Sequence, residues 1–154
     1  MILLPKLRLG VTSSSGPEFM DVMGGMRVRH ANIPSALLNA DNAGAYMEHA
    51  KKFNITVEAV CTDGSDNCVE LVVAAGAQAL CITSDDVSLI GAVSDGARSA
   101  GLKYLVWEPS GIGIEDCRRM LGDINNTSAV SVKLALCLES DNIYEMSRII
   151  GKDA

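Results

Sequence analysis

An α/β fold, with a mainly parallel sheet between layers of helices, is predicted by three features of the sequence. Short apolar runs with the composition of buried strands alternate with segments of helical spacing. Several of the helical segments end at or near a glycine, as at Gly76 and Gly101. Aromatic residues make up only 4% of the sequence, so Val, Ile, Leu, Ala and Met must build the core. Such small-residue packing suits helices that cover a parallel sheet.

The individual elements follow from apolar runs, turn residues and helix caps. The predicted strands are Leu7–Ser13, Met26–Ile33, Ile55–Thr62, Ala79–Thr83, Leu102–Trp107 and Val130–Leu134. A short helix is predicted to begin at Pro17 and to stop at Gly24. The later predicted helices are Ser35–Phe53, Asn67–Ala75, Val87–Ala100, Ile114–Ile124 and Ile143–Ile150. Strands that alternate with helices in this way predict a three-layer α/β sandwich, similar to the flavodoxin and Rossmann folds.

Length and charge limit the organisation of the chain and the class of its partners. The 154 residues predict a single domain, 1–154. A formal net charge of −6 without a basic run argues against a nucleic-acid partner. The apolar start is interrupted by Pro5 and Lys6, too early for a signal-peptide core or a membrane span, so no membrane partner is expected. Five cysteines without a CxxC pair predict no disulfide framework and favour the cytoplasm.

The stretch ITVEAVCTDGSD, residues 55–66, is the strongest candidate for a functional site. A buried strand ends there in Cys61, and the next residues are suited to a tight turn and a helix N-cap. Ligands of parallel α/β sheets collect at the carboxyl ends of the strands, where helix N-termini present N–H groups. A thiol at this place can be both accessible and acidified. The alternative is that Cys61 is one more buried packing residue.

The other candidate motifs have weaker patterns. The loop from Ser13 to Gly16 is either a carboxylate-binding loop or an ordinary surface loop. The segment Ser110–Gly113 looks like a phosphate loop, but Glu115 and Asp116 follow it, and helix capping is the better interpretation. With only two histidines and no paired cysteines, no metal site is expected. The remaining cysteines are interpreted as packing residues: Cys68, Cys81, Cys117 and Cys137.

Five segments together resemble a known enzyme group. In chain order they are LGVTSSSGPEF, VRHANIP, AVCTDGS, the long stretch AQALCITSDDVSLIGAVSDGARSAGLKYLVWEP, and ESDNIYEMSRI. Their order and spacing resemble the N-terminal portion of the maleate cis–trans isomerase and arylmalonate decarboxylase branch of the aspartate/glutamate racemase superfamily.

The resemblance implies a cofactor-independent enzyme that acts on a small dicarboxylic acid. Cys61 matches the first of the two cysteine positions of that group, and would serve as nucleophile or proton carrier. The carboxylate would be held by hydroxyl and backbone N–H groups, which also stabilise charge that develops on its oxygens. The residues expected in this role are Thr12, Ser13, Ser14, Thr62, Gly64 and Ser65. The second cysteine of the group lies in a second lobe, so a homo-oligomer or a partner chain would have to complete the cleft.

Two other functions fit the same residues. A catalytically inactive ligand-binding or assembly domain could keep the scaffold, and the group's asparagine after the first serines is missing here, with Ser15 or Gly16 near its place. A single lobe of a periplasmic-type small-molecule-binding protein also resembles DGSDNCVELVVAAGAQALCITSDD. The start of the chain, without a signal-peptide core, and the scarcity of aromatic residues for stacking on sugars count against the latter.

Overall fold

A computed structural model of the chain describes residues 10–65 and 68–136. They form six β-strands, five α-helices and one 3₁₀ turn, Ser35–Leu37. The strands are β1 (Gly10–Thr12), β2 (His30–Pro34), β3 (Thr56–Thr62), β4 (Ala79–Ile82), β5 (Tyr104–Trp107) and β6 (Ser131–Leu134). The helices are α1 (Phe19–Gly25), α2 (Ala43–Lys52), α3 (Val69–Ala74), α4 (Ser88–Ser99) and α5 (Ile114–Thr127). The predicted helix Ile143–Ile150 lies outside the described residues.

All six strands belong to one parallel sheet, in the order β1-β2-β3-β4-β5-β6. The predicted α/β class, with a parallel sheet flanked by helices, is confirmed. Each strand is therefore added beside the previous one, always in the same direction. Because crossovers between parallel strands are right-handed, this order brings the connecting helices to the same face of the sheet.

The packing agrees with that placement. One continuous core contains buried residues from all five described helices together with strand residues such as Ile33, Val60, Leu80 and Leu105. Leu80, Ile82, Leu105 and Trp107 are fully buried on this helical face of the sheet. The described residues thus supply two layers of the predicted sandwich, the sheet and one layer of helices.

The opposite face of the sheet, here called the open face, carries no described helix. Its small apolar cluster consists of strand residues alone: Ala59, Cys61, Ala79, Cys81, Tyr104 and Val106. The flavodoxin and Rossmann strand orders contain a reversal, which creates a crevice for ligands. The order found here has no reversal, and resembles successive βα units of a β/α barrel. The side chains of the open face correspond to those that line the inside of such a barrel.

Two predicted elements differ in extent, for local reasons. The predicted helix Ser35–Phe53 is divided into the 3₁₀ turn and α2. Its interruption is due to Asn39, whose Oδ1 accepts hydrogen bonds from the backbone N–H groups of Asp41 and Asn42, at 2.9 and 3.0 Å. Such side-chain bonds compete with helical ones. The second strand begins at His30 instead of Met26, because Arg27 adopts φ 59° in the turn before it.

None of the helices in the described part of the chain has the length and apolar content needed to span a bilayer.

Candidate functional site

Cys61 and Cys81 face each other across neighbouring strands on the open face. Alternation along β4 places Leu80 and Ile82 under the helices, so Cys81 projects from the other side. Cys61 is its direct partner in the register of β3 and β4. Cys61 is half-buried, as expected for a residue near the carboxyl end of a strand, whereas Cys81 is 4% exposed. One thiol is therefore accessible while the other lies beneath the surface.

The two thiols differ in acidity because of what surrounds them. A hydrogen bond from the Cys81 thiol lowers the pKa of Cys61, against the opposing effects of burial and the charge of Glu108. The pKa of Cys81 is raised, first by its hydrogen bond with Cys61, then by burial and by Glu108. Glu108 Oε2 lies 3.7 Å from Cys81 Sγ, so its carboxylate competes with Cys61 for the single proton of the Cys81 thiol. Cys61 is therefore the more acidic thiol of the pair, and a hydrogen bond from Cys81 stabilises its thiolate form.

The cation Lys133 lies on the other side of this cluster, on β6. Lys133 lies on β6 opposite Val106, which is itself opposite Cys81. Its Nζ is 3.8 Å from the centroid of the Tyr104 ring, a cation–π contact that holds the side chain over the open face. Burial, followed by the charge of Glu58, raises the pKa of Tyr104. Tyr104 is therefore a neutral platform under the ammonium group.

The hydroxyl loop after β1 is held by the helical layer. The Ser13 hydroxyl donates to the carbonyl oxygen of Ser15 at 2.8 Å, and Ser13 is 2% exposed. The Tyr46 hydroxyl, on α2, donates to the same carbonyl at 2.6 Å. Thr12 and Ser14 are exposed. Of these three predicted carboxylate ligands, two can therefore reach solvent, while the Ser13 hydroxyl is committed to the loop itself.

The loop after β3 also satisfies many of its own donors. Thr62 Oγ1 accepts the N–H of Gly64 at 3.1 Å, and Thr62 is 3% exposed. Asp63 Oδ1 accepts the N–H of Ser65 at 2.9 Å. Hydrogen bonds from Ser65, through its side chain and its backbone, lower the pKa of Asp63. The N–H groups predicted to bind a carboxylate are thus used by side chains of the same loop.

The structure brings the two predicted loops to one edge of the sheet but does not join them. Both follow the carboxyl ends of strands, with β2 between β1 and β3. Two strand spacings separate them, about 10 Å. The role of these residues in carboxylate binding stays a prediction.

The loop Ser110–Gly113 already holds a carboxylate, that of Asp85. The N–H of Ser110 donates to Asp85 Oδ1 at 2.8 Å, and the N–H of Gly111 donates to Oδ2 at 2.9 Å. The interpretation of this segment as an external phosphate loop is therefore not needed, since an internal anion occupies its N–H groups.

The remaining described cysteines are buried, as predicted for packing residues. Cys68 precedes α3 and is 3% exposed. Cys117 is fully buried in α5, and burial raises the pKa of its thiol. Cys137 lies outside the described residues. Within residues 10–65 and 68–136, no group of three or more His, Cys, Asp or Glu side chains is placed to hold a metal ion.

Sequence reasoning missed the partners of Cys61. The apolar surroundings of Cys81 predict a packing residue, although β3 and β4 share a signal: each carries its cysteine one residue before its end, in AVCT and ALCI. Glu108 and Lys133 could be found only from strand order and register, which place β5 and β6 beside β4 on the same face.

No family model matches the chain, and no curated protein sequence matches it. Among solved structures, one similar chain comes from Sorangium cellulosum and is described as a mandelate racemase/muconate lactonizing enzyme. The TM-score is 0.54 at 15% sequence identity, with 87% of the present chain and 47% of the other chain covered. The present chain thus spans less than half the length of that protein. At this identity the likeness shows the α/β fold alone.

Proposed function

We propose that the chain is an isomerase, racemase or decarboxylase that needs no cofactor and acts on a small dicarboxylic acid through the thiol of Cys61. The observation that carries the proposal is the Cys61–Cys81 pair, which places an acidified, half-buried thiol beside a proton-donating one. The resemblance of five sequence segments to the maleate isomerase and arylmalonate decarboxylase branch of the aspartate/glutamate racemase superfamily supplies the substrate class. The name of the distant structural neighbour, a mandelate racemase/muconate lactonizing enzyme, agrees with isomerase chemistry only in general terms.

The proposed chemistry uses Cys61 in one of two ways. As a nucleophile, its thiolate adds to the double bond of an unsaturated dicarboxylate, rotation follows about the resulting single bond, and the thiolate leaves again. As a base, it takes the proton from the carbon next to a carboxylate, or as a thiol it returns a proton after carbon dioxide leaves. In either case the Cys81 thiol stabilises the thiolate form through its hydrogen bond.

A substrate carboxylate on this face needs a positive charge nearby, because the carboxylate of Glu108 beside the thiol pair repels it. Lys133 supplies a positive charge two strands away from Cys81. The Lys133 side chain reaches over the adjacent strand β5, where its ammonium contacts the Tyr104 ring. The exposed hydroxyls of Thr12 and Ser14 would serve the second carboxylate at the carboxyl edge of the sheet.

The open face is also the surface that a partner chain would cover. Exclusion of water would strengthen the electrostatic interactions that stabilise charge on the substrate. A second copy of the chain, or a partner chain that supplies a second lobe, would exclude water by covering the open face.

A second candidate function is a ligand-binding or assembly domain without catalysis. The loop after β3 favours it, since its N–H groups are engaged by Thr62 and Asp63 instead of being available to a substrate. A single lobe of a periplasmic-type small-molecule-binding protein is the remaining alternative from the sequence.

The test measures the alkylation rate of each cysteine across pH, with and without malonate or maleate. Alkylation at each cysteine is read by peptide mass. Cys61 is expected to react fastest at neutral pH and to be protected by the dicarboxylate. Turnover is followed in parallel by proton NMR, with maleate for isomerisation, phenylmalonate for decarboxylation, and aspartate in deuterated water for racemisation. Cys61→Ser should abolish turnover, whereas Cys117→Ser, which changes a buried cysteine of α5, should retain it.

Protection of Cys61 without turnover of any of these substrates would favour the binding domain. Neither protection nor turnover would overturn both the enzyme and the dicarboxylate.

A further inference from the structure

A cavity of about 360 Å³ lies on the open face over β1, β2 and β3, away from the thiol pair. A β-bulge forms it. Ala31 pairs with Val57, but the next residue, Asn32, pairs with Ala59, so Glu58 is an extra residue in β3. Bulges re-aim a side chain and are common next to functional sites. Here the bulge places Glu58 in the lining of the cavity.

Glu58 is hydrogen-bonded to a histidine in the same cavity. His30 Nδ1 is 2.6 Å from Glu58 Oε1, and the two side chains are 24% and 32% exposed. Because a carboxylate only accepts hydrogen bonds, the proton lies on Nδ1, which leaves Nε2 as an acceptor in the neutral ring. The pair therefore presents two kinds of acceptor side by side, an imidazole nitrogen and a carboxylate oxygen.

Two polar groups complete the lining. Asn32 and Thr12 are opposite each other in the register of β1 and β2. Asn32 is half-buried and Thr12 is exposed. Among residues 10–65 and 68–136, neither side chain has a hydrogen-bond partner. The amide and the hydroxyl can each donate and accept a hydrogen bond.

We propose that this cavity binds a small sugar or polyol through a pair of adjacent hydroxyl groups, which donate to Glu58 and His30. The acceptors exceed the donors and include a negative charge, so the lining favours a ligand that donates hydrogen bonds and disfavours a carboxylate. Asn32 and Thr12 bind further hydroxyls of the same ligand.

The His30–Glu58 pair lies away from Cys61, and Thr12 is the one residue of the cavity lining that is also a proposed carboxylate ligand. Cys61 is paired with Pro34, four residues along β2 from His30, which amounts to about 13 Å. A molecule the size of a dicarboxylate cannot contact both groups, so either site can be absent without the other.

The chain contains its own control for a test by NMR. It has two histidines, and both pair with a carboxylate: His49 Nδ1 is 2.9 Å from Asp21 Oδ1, on α2 and α1. His49 does not line the cavity. Ring nitrogen and carbon signals are recorded during titration with D-ribose, D-glucose or myo-inositol, and separately with malonate, and His49→Gln assigns the two sets of signals.

At least one of the three polyols is expected to shift the His30 signals to saturation and to leave those of His49 unchanged. Glu58→Gln should weaken the binding about tenfold, since a charge-assisted hydrogen bond is replaced by a weaker neutral one. Glu70→Gln, which removes an exposed charge from α3, should not change it. Where Glu58→Gln fails to fold, as judged by the His49 signals, Asn32→Ala carries the same expectation.

The proposal is overturned if no polyol shifts His30, if His30 and His49 shift together, or if malonate is the stronger ligand of the cavity. None of these results depends on alkylation of Cys61, so the proposed thiol chemistry is judged by its own experiment.

Discussion

Cys61 and Cys81 are direct partners in the register of two parallel strands, and the hydrogen bond between their thiols makes one of them more acidic. The sequence motif predicts that the helix N-terminus after Cys61 acidifies this thiol. In the structure the largest cause of the lowered pKa of Cys61 is its hydrogen bond with Cys81, its neighbour across the sheet.

The first prediction concerns that dependence. Cys81→Ala removes the donor, so the pKa of Cys61 should rise and its alkylation profile should move to higher pH. Each unit of that rise lowers the thiolate fraction at neutral pH about tenfold. Cys81→Ser keeps a hydroxyl donor and should move the profile less. Rates of iodoacetamide labelling at Cys61, read by peptide mass across pH, check the order; equal profiles in all three proteins would contradict it.

The second prediction concerns the turn after β3. Gly64 has φ 88°, and a Cβ there would lie 2.5 Å from Leu89 Cδ1 on α4. Gly64→Ala therefore combines backbone strain with a clash, and should lower the free energy of unfolding by about 1–3 kcal/mol. Gly91→Ala is the control, since a Cβ at that position in α4 meets no atom within 4 Å. It should stabilise by up to about 1 kcal/mol through helix propensity. Urea denaturation followed by circular dichroism measures both, and a similar loss in both would count against the prediction.

The third prediction tests how the helical layer holds the loop after β1. Tyr46 is fully buried and its hydroxyl donates to Ser15 at 2.6 Å. Tyr46→Phe should cost about 1 kcal/mol of unfolding free energy, because a buried hydrogen bond is lost. Tyr104→Phe removes a hydroxyl from the half-buried ring on the open face and should change stability by less than about 0.5 kcal/mol. Equal effects of the two substitutions, in the same urea experiment, would show that the Ser15 contact contributes nothing.

The sequence predicts individual strands more closely than their arrangement. Strand Val130–Leu134 agrees within one residue with β6, and helix Val87–Ala100 closely brackets α4, because both depend on local apolar spacing. Strand order is not local. A flavodoxin-like order and the order found here require the same alternation of strands and helices, so the pattern alone does not tell which face each helix covers.

The residues of the candidate site likewise divide into those predicted from local sequence and those that depend on strand order. Cys61 is predicted from its own strand and turn, whereas Glu108, Lys133 and Glu58 depend on neighbours in the sheet. Glu58 in particular faces the cavity because a bulge shifts the register by one residue, and alternation along β3 does not reveal that shift.

The last prediction concerns Asp85, which occupies the N–H groups of the Ser110–Gly111 turn with both carboxylate oxygens. Asp85→Ala leaves two converging N–H donors without an acceptor, at the start of the segment that leads into α5. Stability should fall by about 1–2 kcal/mol in a buffer without oxyanions, because charge-assisted hydrogen bonds are lost at an exposed site. Added sulfate should then stabilise the variant more than the wild type, since an external anion can replace the missing carboxylate.

Asp95→Ala, on the exposed side of α4, is the control for loss of one negative charge and should respond to sulfate like the wild type. Thermal unfolding at matched ionic strength, with sodium chloride against sodium sulfate, separates binding at the turn from general salt effects. If sulfate raised the melting temperature of all three proteins equally, the turn would not be an anion-binding turn, and its geometry would have to be maintained by the backbone alone.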